Sequence, residues 1–170
     1  MELFKSFFRE LSGSRSVAEV LEKNISPVSV TGLSNIHRAQ LIYTFSDKNK
    51  VSVAVTGTEA EAKKLCDDIN QMAGREEAVA FPSKELILTP AKGTTTDYEQ
   101  MRISALAKVL KGQCSVIVAG IEAVMQPTIP PAKLSQCSLI IKSSDEINLT
   151  NLAAKLSECG YERCEKVEGS

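Results

Sequence analysis

Tryptophan is absent, histidine occurs once, and aromatic side chains make up only 5% of the chain. Each shortage excludes a class of function. A lone histidine, His37, cannot supply the histidine pairs on which many zinc sites are built. The few aromatics do not interleave with basic residues, as single-strand nucleic-acid grooves require. A basic excess is also missing: 20 basic and 21 acidic side chains leave a net charge of −1. Tight DNA binding draws on counterion release by such an excess, so the composition argues against it. The five cysteines form no CxxC pair, and their number is odd. Cys159 and Cys164, five apart across a helix end, make a poor zinc pattern and read as packing thiols. No G-x-S-x-G motif offers a serine nucleophile. With no secretory leader pattern and no long apolar run, the cytoplasm is the expected compartment and no membrane the expected surface.

What remains is an ordinary globular composition, 43% hydrophobic and 24% charged over 170 residues. That length fits one domain, or one domain and part of another. Periodicity switches between helix and strand along the chain. An amphipathic helix opens it, and a second short one spans Ser16 to Asn24. A strand is expected over Ser26–Gly32, then a helix over Ser34–Asp47. Val51–Val55 is apolar enough to predict a strand covered on both faces. A capping box, Thr58 with Glu61, opens a helix that Gly74 closes. Ala78–Pro82 reads as a strand, Thr89–Thr96 as a loop, and Thr96 with Glu99 as a second capping box. The helix it opens runs to about Lys111, with Met101, Ala105, Leu106, Val109 and Leu110 inward. A strand at Ser115–Ala119, a short helix at Ile121–Met125 and a proline-rich turn follow. Ser138–Lys142 is expected as a fifth strand, and Leu149–Cys159 as a helix stopped by Gly160, with an extended stretch after it from Tyr161 to Val167. The alternation predicts an α/β fold, a mostly parallel sheet flanked by helices.

Ligands of open parallel sheets bind beyond the carboxyl ends of strands, with phosphates on a helix amino terminus. The turn Gly32–Ser34–Asn35 stands where a P-loop would. A working P-loop needs a lysine for the β/γ-phosphates and a hydroxyl for Mg²⁺. Counted from Gly32, His37 falls on the second glycine, Arg38 on the lysine and Ala39 on the hydroxyl. Counted from Ser29, the last two positions hold Asn35 and Ile36. Arginine does not replace the compact ammonium, and neither alanine nor isoleucine holds a metal. The turn reads as a degenerate phosphate site, and no cofactor is expected.

Several segments together resemble the amino-terminal module of bacterial transcription-repair coupling factors and of their relative UvrB. Val30–Ser34 (VTGLS) is similar to the family's degenerate P-loop turn, and Phe81–Leu86 (FPSKEL) to its FP-x-x-[DE] strand and turn. Glu99–Ser104 (EQMRIS) and Ser115–Gln126 (SVIVAGIEAVMQ), followed by Ile129–Pro131, occur in the same order. Leu152–Val167, with Gly160–Arg163 (GYER), looks like the start of the family's inserted second domain. Loss of the P-loop lysine favours the coupling factors over UvrB, which keeps it. The resemblance implies a degenerate P-loop-like α/β domain over 1–136 and the truncated beginning of a UvrA-binding-type domain over 137–170. It implies a non-catalytic module that recruits UvrA to RNA polymerase stalled at a lesion. It also implies contacts with the motor and carboxy-terminal domain of a longer chain, and DNA only through that chain. On the family's pattern, Arg163 lies on the partner face with Tyr161 beside it; the other reading is a solvated arginine and a core-edge tyrosine. Arg102 is read as an anion ligand or one half of an ion pair. Two competing functions stay open: half of an active UvrB-like ATPase or helicase with Arg38 standing in for lysine, and a generic phosphate- or flavin-binding domain.

Overall fold

In a computed structural model, residues 2–47, 49–84, 95–161 and 163–164 are described. The chain divides into two compact units, Met1–Pro127 and Thr128–Ser170. In the first, the element order is α1 (Glu2–Glu10), α2 (Ser12–Glu22), α3 (Asn35–Phe45), β1 (Ser52–Thr56), α4 (Glu59–Ala73), β2 (Ala78–Phe81), α5 (Thr95–Leu110), β3 (Val116–Gly120) and α6 (Ile121–Met125). The second contains α7 (Pro131–Gln136) and α8 (Leu149–Glu158).

The three described strands form a parallel sheet in the order β1-β3-β2. The strand centre is β3, whose apolar run VIVAG allows both faces to be covered. Val116 and Val118 point to one layer, made with Ala39 and Tyr43 of α3 and Ala62, Cys66 and Ile69 of α4. Ala119 points to the other layer, made with Val79 and Phe81 of β2, Ala105 of α5 and Ala123 of α6. Helices therefore flank both faces, as the alternating pattern predicted.

The helix α4 forms where its signals lie. The Thr58 hydroxyl accepts the Glu61 backbone N–H at 3.2 Å, and Gly74 ends the helix in the left-handed region at φ 60°. Ile69 is fully buried, which contributes roughly 1.5–3 kcal/mol by removal of its surface from water. From the same helix, Asn70 fixes the start of β2. Its Oδ1 accepts the backbone N–H groups of Glu77 and Ala78 at 2.8 Å each, and its Nδ2 donates to the Ala78 carbonyl at 2.9 Å. At the other end of the sheet, Gly120 is required by a close approach: a Cβ there would lie 3.2 Å from the backbone of Thr58 and Glu59.

Several expectations are corrected. Residues 26–31 form no strand, since no neighbouring chain supplies a ladder for their backbone. β1 is covered on one face only: Val53 and Val55 are 59% and 50% exposed, because α5 packs over β2 and β3 and stops short of β1. Met101 and Leu110 of α5 are exposed, and the inward face carries Arg102 with Ala105 instead. Ser138–Lys142 forms no strand, and a turn follows it in which Asp145 Oδ2 accepts the Lys142 N–H at 2.8 Å. Pro131, read as part of a turn, is the first residue of α7, where its missing N–H costs nothing. The helix α8 begins and ends as expected, with Asn148 capping Thr150 and Asn151 and Gly160 at φ 88°. Most of the Thr89–Thr96 loop, the Thr96 side chain, and the end of the stretch after Tyr161 lie outside the described residues.

Among the described residues of the first unit, Glu77 is the buried carboxylate. It accepts from the Ser115 hydroxyl at 2.5 Å and from Arg75 Nε at 2.8 Å. Burial raises its pKa, but the Ser115 hydrogen bond and then Arg75 outweigh it, so the net shift is downward. A lowered carboxyl stabilises the fold above the ordinary glutamate range, and that stability is lost as pH falls through the lowered value. Glu77→Gln is expected to cost about 1–3 kcal/mol at neutral pH and to flatten the acid limb of stability. Urea titrations from pH 7 to pH 3 check this; parallel acid limbs in the two proteins would refute it.

Candidate functional site

The carboxyl ends of the three parallel strands converge on a crevice of about 120 Å³ lined by Gly57, Thr58, Glu59, Ser83, Gly120 and Glu122. A doubly covered sheet places its ligands in such a crevice, and the first test is therefore its charge. Glu59 and Glu61 sit in the first turn of α4, and Glu122 in the first turn of α6. Glu59 Oε2 accepts the Ser83 N–H at 3.2 Å and its hydroxyl at 2.7 Å. The helix ends that would receive an anion thus carry carboxylates of the chain itself, which repel phosphate.

The turn expected to be a degenerate phosphate site lies elsewhere, before α3. Gly32 has φ 76°, so its glycine is explained by the backbone alone. Ser34 holds the N-cap position but makes no cap hydrogen bond; its hydroxyl meets His37 Nδ1 at 3.0 Å. Asn35 and Arg38 lie on the wall of an open groove of about 790 Å³. Most of that wall is apolar: Leu21 of α2, Val28 and Val30 of the segment read as a strand, and Val53 and Val55 of β1 run along it. The structure thus brings Gly32, Ser34, Asn35 and Arg38 together at the start of α3. The chain before them is no strand aiming a loop at a ligand, and the neighbouring surface suits apolar side chains.

Arg102 was the functional candidate on α5, and the structure assigns it a structural job. It is buried, stacks on the Phe81 ring at 4.1 Å, and donates from Nη1 to the Pro82 carbonyl at 2.8 Å. Further acceptors are the Ala123 carbonyl at 3.4 Å, Gln126 Oε1 at 3.3 Å and the Pro127 carbonyl at 3.3 Å. Burial lowers its pKa. Gln126 completes the junction, accepting the Lys84 N–H at 2.7 Å and donating to the Lys84 carbonyl at 2.9 Å. These acceptors are neutral, so Arg102 is neither an exposed anion ligand nor, among the described residues, half of an ion pair. Its position three residues before inward-facing Ala105 was the available signal.

In the second unit, Tyr161 and Arg163 follow the end of α8. Tyr161 is 64% exposed, with its N–H bonded to the Leu156 carbonyl at 3.0 Å, and Arg163 is exposed two residues on. The ring is therefore no core-edge aromatic, and both side chains are exposed. Among the described residues, no group of three candidate ligands could hold a metal ion, and no helix is long and apolar enough to cross a membrane.

One curated protein resembles the chain almost end to end. It is the transcription-repair-coupling factor of Bacillus subtilis (strain 168), 23% identical over 169 residues. The alignment takes in 98% of this chain and 14% of that protein, so the chain spans about one-seventh of the length of its relative. The relation is distant. No family profile matches the chain, and no solved structure matches it.

The junction around Arg102 is directly testable. Arg102→Lys puts one ammonium where a planar fork reaches four oxygens, and is expected to cost about 1.5–3 kcal/mol in chemical denaturation. Unchanged stability would show that the fork does not hold α5 to the ends of β2 and α6.

Proposed function

We propose that this chain is a non-catalytic protein-interaction and regulatory module of a transcription-repair coupling factor, acting in transcription-coupled repair. The observation that carries the reading is the alignment of nearly the whole chain with the coupling factor, over a small part of that protein's length. The geometry supports it from a second side. The strand ends carry Glu59 and Glu122, and the turn at Gly32 lacks the lysine and hydroxyl of a P-loop. Catalysis then belongs to a motor elsewhere in the full-length protein, which works on DNA at stalled RNA polymerase in the cytoplasm.

Within that role the chain is a UvrB-like module that recruits UvrA. The exposed pair Tyr161 and Arg163 is the contact surface, since a guanidinium and an open aromatic ring suit a protein interface. Arg163→Ala is expected to weaken UvrA binding by about tenfold or more in biolayer interferometry. Equal binding by variant and parent would remove Arg163 from the interface.

The competing ATPase reading is tested separately. Calorimetric titration of the purified chain with Mg-ATP is expected to show no binding. A dissociation constant tighter than about 1 mM would favour the ATPase and overturn the non-catalytic assignment.

A further inference from the structure

Two stretches of backbone without a ladder border the open groove of about 790 Å³ in the first unit. The first is the outer edge of β1. Ser52 N–H donates at 2.8 Å to the Ser115 carbonyl, just before β3. Backbone groups alternate between the two edges of a strand, so Val53 and Val55 turn their N–H and carbonyl groups away from β3. Among the described residues no strand pairs with that edge. Consecutive residues 52–57 all line the groove. Side chains alternate between the faces of a strand, so a groove bordered by every residue in turn meets β1 at its edge.

The second stretch is residues 26–31, which lie between α2 and α3 in neither helix nor strand. Val28 and Val30 line the groove and Ser29 does not, the two-residue period of an extended chain. Among the described residues, residues 26–31 form no backbone–backbone hydrogen bond.

The chemistry of these walls defines an occupant. Free backbone groups call for an extended chain that can share hydrogen bonds with them. Residues 26–31 and 52–57 carry no charge, and the charged residues at the groove, Arg38, Glu61, Lys64 and Asp68, balance. A strongly acidic or basic segment meets no net opposite charge there and loses its hydration, so an uncharged segment is the match. Exposed Val28, Val30, Val53 and Val55 call for apolar side chains at alternate positions. The surface is small for a second copy of the chain. Four partly covered valines fall well short of the roughly 800 Å² per partner that a stable dimer buries.

We propose that this groove binds an extended, uncharged segment of a partner protein, with apolar side chains at alternate positions, added as a strand to the outer edge of β1. The inference rests on the reading of the chain as a protein-interaction module, and it adds a contact surface on the first unit to that of Tyr161 and Arg163. The added strand hydrogen-bonds to the backbone of Val53 and Val55 and packs side chains against Val28 and Val30.

The probe is a short acetylated and amidated peptide that alternates threonine and valine, titrated into the full chain at micromolar concentration and followed by NMR. Saturable binding tighter than about 1 mM is expected. The bound peptide slows exchange of the Val53 and Val55 amide protons about tenfold or more and leaves that of Ala54 unchanged. Val53→Asp, at an exposed position, weakens binding about tenfold or more. Methylation of every peptide nitrogen, which removes the donors without altering the protein, abolishes it, and Leu149→Asp in the second unit leaves it unchanged. No binding up to about 1 mM, or binding that survives Val53→Asp or methylation of the peptide, would overturn the proposal. Protection of the Val53 and Val55 amides in the peptide-free chain would do the same. A stable dimer at the titration concentration, lost in Val53→Asp, would give the edge to a second copy instead. The titration contains no UvrA, so its failure is distinct from a failure of UvrA to bind the chain.

Discussion

The first unit is organised by the double coverage of Val116–Gly120. This strand is hydrogen-bonded along both edges, to β1 and to β2, and packed on both faces. Alternation along it, Val116 and Val118 one way and Ala119 the other, sorts the helices into two layers. Its last residue must be glycine, because the turn from β1 into α4 lies against it. The same contact brings the first turn of α4 beside that of α6 and so gathers Glu59 and Glu122 at the ends of the strands. The acidity of the crevice is thus a consequence of how the sheet is closed at that end.

A second organising element is the Arg102 fork. An arginine inside an apolar layer is costly unless its donors are met. Here the Pro82, Ala123 and Pro127 carbonyls and Gln126 meet them, and the Phe81 ring lies under the guanidinium. The acceptors come from the chain after β2 and from the end of α6, so one side chain on α5 joins three separate stretches. A side chain already committed to four oxygens has few donors left for a ligand.

Much of the architecture could be read from the residues. The α/β alternation, the Thr58 cap, the Gly74 stop and the apolar β3 were each announced by local chemistry that the fold obeys. What failed was whatever depended on a neighbour. Residues 26–32 and 138–142 are apolar enough to be strands, yet a strand exists only where another chain segment offers a ladder. Val51–Val55 looked doubly covered because its composition cannot tell how far α5 extends. Arg102 was read as an anion ligand or an ion-pair partner because sequence gives a charge and not the neutral carbonyls that surround it. The predicted site residues fared unevenly: Gly32, Ser34, Asn35 and Arg38 do cluster at one helix start, but without the strand that a phosphate cradle requires.

The open flank of β1 has a practical side. Its residues, Ser52–Thr56, include no lysine, glutamate or proline, the usual devices that blunt a sheet margin, and two of its valines face outward. Among the described residues no strand pairs with its outer edge, and such an edge beside exposed valines is a template for strand addition. Crowding of the isolated polypeptide therefore favours margin-to-margin stacking between molecules, and one charge placed at Val53 would be enough to discourage it.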